Sequence, residues 1–530
     1  MKEESLLLGK EFKERIFTMN KTKLLCLFLA CLFFIVPLAS CDGDGDGGGV
    51  DGGGISDDGS VTWEEVDFKG ATLKHAISVL SASGATYPAT EKYIRGADAS
   101  TTDEVIKKSI QRNNKVETDL NLKVEYMELE VGGYSQVMED IGNRVLGSST
   151  DAPDIYTNDM RGFTFACVAG YLTNVNNPLD ASGNLMTSYF DFKNDSWNYS
   201  FMSDLTLDRN KVYTLAGDYH IDLVRAAYVL FVNKNMFNQN AKVLGCEDIN
   251  DFYGYVLDGI WDYQMLTTMC AKVWQDNGSS KNRPDRDDGR LGLAINERFY
   301  FNFVPASGLS TYYLDDEGKP KLIDGIDEMN RLGSALRTIQ EHGGSTDGIY
   351  SESGMNCVEF FMQNSTLFAT GVLGELESEE FRAAEFDKGL TPIPKYDQRR
   401  QEDYHTMIEQ FAELSAILIN APSFTLASAY LQYATENSKA VLTEYYEFSL
   451  KFKYNDDPTI RSMIDLVYDC IDSPFGMWFE TVIMEYVEGD TSDNLHYALS
   501  RNALSGWYDK FKGPYERGLD KALSEFAKVN

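Results

Sequence analysis

From about Thr62 onward, short apolar runs of strand length alternate with longer segments whose apolar residues recur every three or four positions. Such alternation demands an α/β fold, because each helix must carry the chain back beside the strand it left and rest its apolar face on the sheet. Leu73–Leu80 reads as a buried strand. Thr102-Asp103 caps a helix to Leu120 with Ile106, Ile110, Val116 and Leu120 on one side, and Leu122, Val124 and Tyr126 then alternate with polar residues as a second strand. Ser135 opens a helix with Met138, Ile141 and Val145 inward; Pro153–Thr157 starts a third strand, and Phe163–Gly170 forms a short helix. Further on, Trp261-Asp262 begins a helix to about Gln275, and Leu291–Ile295 is a strand. Gly318 supplies the positive φ of a hairpin, and a helix with Ile323, Ile326, Met329, Leu332, Leu336 and Ile339 inward ends at Gly343-Gly344. After Asn420 the chain is mostly helical.

The N-terminus addresses the chain outward. Met19-Asn-Lys-Thr-Lys precedes the apolar run Leu24–Val36, then Pro37 and Leu38-Ala39-Ser40-Cys41. A basic start, an apolar core too short for a permanent span and small residues before a cut make residues 1–40 a secretory signal, with Met19 as its functional start. Leu-Ala-Ser-Cys resembles the bacterial lipobox, which implies diacylglycerol on Cys41 and cleavage just before it. Residues 41–61, beginning Asp42-Gly-Asp-Gly-Asp-Gly, bury nothing and form a flexible tether. The run is no EF-hand loop, since Gly53 occupies the position that needs Glu.

Beyond the tether about 470 residues remain, more than one core usually serves, so two lobes are expected. Of 48 Lys/Arg and 82 Asp/Glu, residues 1–40 hold six and four, leaving 42 against 78, or −36. That balance argues against nucleic acid or an anionic membrane surface as partner. Cys167, Cys246, Cys270, Cys357 and Cys470 lack close pairing and read as small buried hydrophobes, with neither a metal site nor a disulfide framework indicated.

The order of elements is similar to that of the family 1 extracellular solute-binding proteins, the class that includes maltose and multiple-sugar receptors. Arg112-Asn113 before Val116–Val124, Ala152–Tyr156, Ala169–Leu172, Leu179-Asp180, Lys211–Asp218 leading to Val229–Phe237, Trp261-Asp262, the Asp315–Pro320 hairpin and Leu390–Lys395 carry the resemblance. It implies a periplasmic-binding-protein-like type II fold, two α/β lobes joined by a hinge that the chain crosses more than once. Lobe one is expected at 62–222 plus 412–455, and lobe two at 226–410 plus 456–530. It further implies a monomer, without cofactor, that captures a small solute in the cleft and hands it to the permease of an ABC importer.

A sugar site needs carboxylate, amide or Arg partners beside aromatic faces. Asn158, Asp159 and Arg161 follow a strand at the expected cleft edge; the family's adjacent Asp-Arg pair is here interrupted by Met160, and Asp159 also suits a helix cap. Asp218, Tyr219 and Arg225 lie in the segment expected to line the hinge. Trp261 reads either as a sugar plate or as a helix-start staple, and Tyr300, with Phe301 and Phe303, as a stacking wall or core. Glu375, after the strand Leu367–Val372, is a cleft carboxylate or a solvated acid.

Two other classes compete. A surface glycosidase needs a carboxylate pair, and no spacing singles one out. His75, His220, His342, His405 and His496 are scattered, and no GxSxG elbow or Walker loop occurs. A glycan-binding surface receptor without an importer is the third reading. The residues alone leave sugar, peptide and polyol open as solute.

Overall fold

The computed structural model describes residues 52–56, 59–80, 89–96, 100–147, 151–278, 289–295, 300–324, 326–342, 345–346, 357–453, 457–473, 475–487 and 504–530. The expected export signal, Cys41 and most of the expected tether lie outside them.

Two five-stranded sheets organise the described chain. The first takes β1 (Ala71–Ser78), β2 (Leu122–Leu129), β3 (Ile155–Asp159), β4 (Thr214–Leu215) and, 200 residues on, β12 (Glu413–Ala416); the order across it is β2-β1-β3-β12-β4. β1 runs parallel to β2 with Ala71 opposite Leu122, and parallel to β3 with His75 opposite Ile155. β12 inserts antiparallel to β3, Glu413 opposite Asp159. The second sheet takes β5 (Tyr228–Asn233), β6 (Leu291–Ala294), β9 (Ser345–Thr346), β10 (Thr366–Val372) and β11 (Lys388–Thr391) in the order β11-β5-β10-β6-β9. β5 is buried throughout and antiparallel to both neighbours. A hairpin, β7 (Tyr312–Leu314) with β8 (Pro320–Leu322), turns through Gly318 at φ +74° as its sequence requires.

Helices cover the sheets where periodicity places them. Asp103 caps Glu104–Asp119 by accepting from the Val105 and Ile106 amides, and Val105, Ile106, Ser109, Arg112, Asn113 and Val116 form its buried face. Asp262 likewise caps Tyr263–Val273. The helix expected at Phe163–Gly170 spans Met160–Val168, three residues earlier, because Asp159 accepts from the Arg161 and Gly162 amides and starts it there. After β6 comes a helix, Tyr300–Ala306, in which Phe303 is fully buried against Tyr263, the core alternative for that residue. A run of π-helix, Glu444–Lys453, has no signature in the sequence. All five cysteines after Cys41 are free thiols, four of them buried.

Packing between β6 and Tyr263–Val273 leaves no room at Gly292, where a Cβ would overlap the Cα and Cβ of Cys270. Gly292→Ala is therefore expected to lower unfolding free energy by about 1–3 kcal/mol. Gly254, in the helix Ile249–Leu257 with open space where its Cβ would be, should gain about 0.5–1 kcal/mol as alanine. Urea titration of both variants checks the contrast.

Candidate functional site

Two segments cross between the sheets side by side, and a third, 470–472, pairs with one of them. Ala227 bridges Ile408, the Tyr228 amide donates to the Met407 carbonyl at 3.1 Å, and Glu409 donates to Ala226 at 2.8 Å. Thr406 in turn donates to Cys470 at 2.8 Å and accepts from Asp472 at 2.9 Å. β5 and β12 each begin just past this hinge, so their amino ends, and the carboxyl ends of the strands parallel to their antiparallel partners, all lie at the hinge side of their sheets. In open α/β sheets the crevice outside those strand ends is where ligands sit.

At the end of β3, Asn158 donates to the Val131 carbonyl at 3.1 Å. Asp159 spends Oδ1 on its helix cap, at 2.7 Å from the Arg161 amide, while its buried Oδ2 has no partner among the described residues. Burial outweighs the two amides and pushes this carboxyl up to about 7. Arg161 stacks over Tyr134 at 4.0 Å and donates to Gln410 at 2.5 Å and Thr481 at 3.3 Å. It thereby ties the start of a lobe-one helix to the hinge and to the helix Phe475–Met484.

Arg225 is fully buried in the helical turn Asp222–Arg225. Its Nε donates to Glu377 at 2.7 Å, and Nη1 to Thr90 at 2.8 Å and Asp222 at 3.4 Å. Tyr93 and Tyr445 donate to the same Glu377 carboxylate at 2.8 and 2.7 Å. Burial opposes the guanidinium's charge, but Glu377 and Asp222 more than offset that and raise its pKa. Asp222 also accepts from the Glu413 amide at 2.9 Å. Burial, then Asp222, push the Glu413 carboxyl far above its ordinary range. The network thus joins the first sheet's side (Thr90, Tyr93, Glu413) to the turn after β10 (Glu377).

The remaining candidates disperse. Asp218, half-buried beyond β4, is raised to about 6 by burial and lines a cavity of about 630 Å³ with Trp197, Asp204, Arg209, Tyr468 and Asp472. Tyr219 is buried, under the Arg112 guanidinium at 4.5 Å and against the Tyr430 hydroxyl at 3.3 Å. Trp261 is enclosed in the second lobe's core, where its ring meets Phe252 and Phe368. Tyr300 starts its helix, its side chain being outside the described set. Glu375 is buried in the turn after β10, two residues before Glu377. Sequence reasoning missed Glu377, Glu413, Gln410, Tyr468 and Arg209; only Glu377 carried a signal, its alternation with Glu375 just past a strand.

His220 and His75 flank a buried relay: His220 Nε2 meets Ser415 Oγ at 2.8 Å, Ser415 meets Thr157 at 2.7 Å, and Thr157 meets His75 Nε2 at 2.7 Å. Burial depresses both imidazoles to about 3, with Arg112 adding to the effect, so they are neutral hydrogen-bonding groups inside the sheet. Among the described residues no group of three or more His, Cys, Asp and Glu could hold a metal ion.

No protein-family model matches the chain, and no curated protein matches it in sequence. Among solved structures it is similar to the galacto-N-biose-/lacto-N-biose I-binding protein of the ABC transporter from Bifidobacterium longum, with TM-score 0.50 and 11% identity over 84% of this chain and 98% of that one. An ABC substrate-binding protein from Listeria monocytogenes gives 0.49 at 12% identity, over 84% and 99%. The GacH receptor of Streptomyces glaucescens gives 0.47 at 13%, over 87% and 100%. What the first shares with this chain is the fold, a periplasmic-binding-protein-like type II arrangement of two α/β lobes joined by a hinge.

Proposed function

We propose that this chain is an extracytoplasmic solute-binding protein, held to the outer face of the cell membrane by lipid on Cys41. It traps a sugar or oligosaccharide between its lobes and passes it to the permease of an ABC importer. The observation that carries the reading is the hinge of hydrogen-bonded crossings, 226–228 beside 406–409, with sheet ends on either side of it. Two lobes so connected can close on a guest by hinge rotation, and the guest shifts the population by its preference for the closed form. Asp159, with one buried oxygen unpartnered among the described residues, and Arg161 at the end of β3 supply the polar side of the site on the first sheet. The Bifidobacterium protein of this fold is described in complex with lacto-N-biose, which favours a carbohydrate over a peptide or polyol. No bond is made or broken in this reading.

A thermal-shift screen of the chain from residue 42 onward against sugars, peptides and polyols tests it. A guest at about 100 times its Kd adds roughly 2.7 kcal/mol to the folded state, a clear rise in Tm. The stabilising sugar should also reduce the radius of gyration. Stabilisation by peptides or polyols alone would remove the sugar, and sustained release of reducing ends from a polysaccharide would replace binder with enzyme.

A further inference from the structure

The cavity at Asp218 does not end there. A second, of about 520 Å³, shares Arg209, Asp472 and Ser473 with it, and a third, of about 760 Å³, shares Arg209, Ile323 and Asp324 with the second. Arg209 therefore stands at the junction of all three. Its Nε donates to Asp204 at 2.6 Å, and the tip of the β7–β8 hairpin rests on it, since a Cβ at Gly318 would overlap its Cδ. The walls come from the loop before and after β4, the hinge at 471–473, the hairpin and the C-terminal helix Leu504–Phe526.

Each cavity alone has the size of a site for one small molecule, whereas three in series form a trench that suits a chain. Two tyrosine rings lie exposed along it, Tyr468 (41%) in the first cavity and Tyr313 (42%) in the second. Beside Tyr468 the Asp218 carboxylate makes no hydrogen bond with any described residue. The three cavities are lined by ten carboxylates, from Asp195 to Asp520, against Arg209, Lys319, Lys321 and Lys512, of which Arg209, Lys321 and Lys512 are already paired. That field repels an anionic chain. Flat apolar faces set among hydroxyl-accepting carboxylates match the two surfaces of a sugar ring.

We infer that the trench is a binding site for a neutral oligosaccharide of several units, running past the hinge with Tyr468 and Tyr313 as stacking plates. The inference rests on the proposed sugar-binding function and deepens it: the solute is a chain, bound beyond the inter-lobe site. A cationic chain is the electrostatic competitor, and it would bind in a salt-dependent way.

Calorimetric titration of the chain from residue 42 onward, with neutral oligosaccharides of several linkages at two, four and six units and with oligolysine, decides the matter. Within the linkage that binds, six units should bind on the order of tenfold tighter than two. The double variant Tyr468→Ala, Tyr313→Ala should lose that advantage, and Tyr313→Ala alone, whose exposed ring lies outside the first cavity, should lose part of it while keeping the unliganded Tm. Equal affinity at all lengths, or a length advantage untouched in the double variant, would overturn the trench and leave the sugar-binding reading standing. Oligolysine binding tighter than every glycan and collapsing in high salt would also overturn it. If no neutral glycan of any length binds, the proposed function itself fails.

Discussion

Arg225→Ala is expected to lower the unfolding free energy by about 3–5 kcal/mol, the largest loss of any single substitution argued for this chain. The reason is what it leaves behind. Glu377 and Asp222 would remain buried without the cation paired to both, and the hydroxyls of Tyr93, Tyr445 and Thr90 can donate to them but cannot balance their charge. Arg225→Lys should recover only part of the loss, because one ammonium cannot span Glu377, Thr90 and Asp222 as the guanidinium fork does. Removing both charges with Arg225→Met and Glu377→Met should cost less than Arg225→Ala alone, since apolar replacements of similar volume leave fewer unpaired groups. Urea denaturation of the single and double variants gives the coupling energy. A cost below about 1 kcal/mol for Arg225→Ala would mean that water reaches the network and that the lobes are not tied there.

The sequence makes the α/β alternation legible because it is written in local patterns: β1, β2 and β3 are apolar or alternating, and their helices carry caps and inward faces within one turn of each other. β12 is not legible. Glu413–Ala416 is four residues long, half of them polar, and becomes a buried strand only because β3 and β4 flank it after a return of two hundred residues. The site divides in the same way. Asp159 and Arg161 follow a readable strand, and Asp222 with Arg225 shows a helical i,i+3 spacing. The partner that gives Arg225 its role, Glu377, lies 152 residues away in a run of acids that looks solvated. Trp261 illustrates the opposite difficulty, since an aromatic residue before a helix has the same local pattern whether it faces a cleft or, as here, Phe252 and Phe368.

Asp159→Asn is expected to stabilise the empty protein by roughly 2–3 kcal/mol at about pH 8 and to change it little near pH 4. In the fold this carboxyl titrates at about 7, above its ordinary value of 3.8, because burial disfavours its charge. Folding therefore takes up a proton between those values. The stability that Asp159 contributes is complete below 3.8 and is lost as pH rises through 7, where the ionised group sits in the interior with Oδ2 unpartnered. Asparagine keeps an oxygen to cap the Arg161 and Gly162 amides but cannot ionise, so the penalty at high pH disappears; an unpaired amide group offsets part of the gain. Charges facing the site act on both variants: Arg161 favours the ionised form, and Glu413, opposite Asp159 across β3 and β12, is itself pushed up by burial and by Asp222. His75 and His220, depressed to about 3, run the other way, their contribution being present above 6.5 and lost as pH falls, and they cancel in the difference between the two proteins. Binding should show the same linkage. If a solute hydroxyl fills the place beside Oδ2 it favours the carboxylate, so affinity in the wild type should rise with pH up to about 7, with proton release, and Asp159→Asn should flatten that dependence. Denaturation curves at about pH 4 and 8, with titrations in two buffers of different ionisation enthalpy, check both halves; equal stabilisation at the two pH values would show that Asp159 is not held in the low-dielectric interior on which its part in solute capture depends.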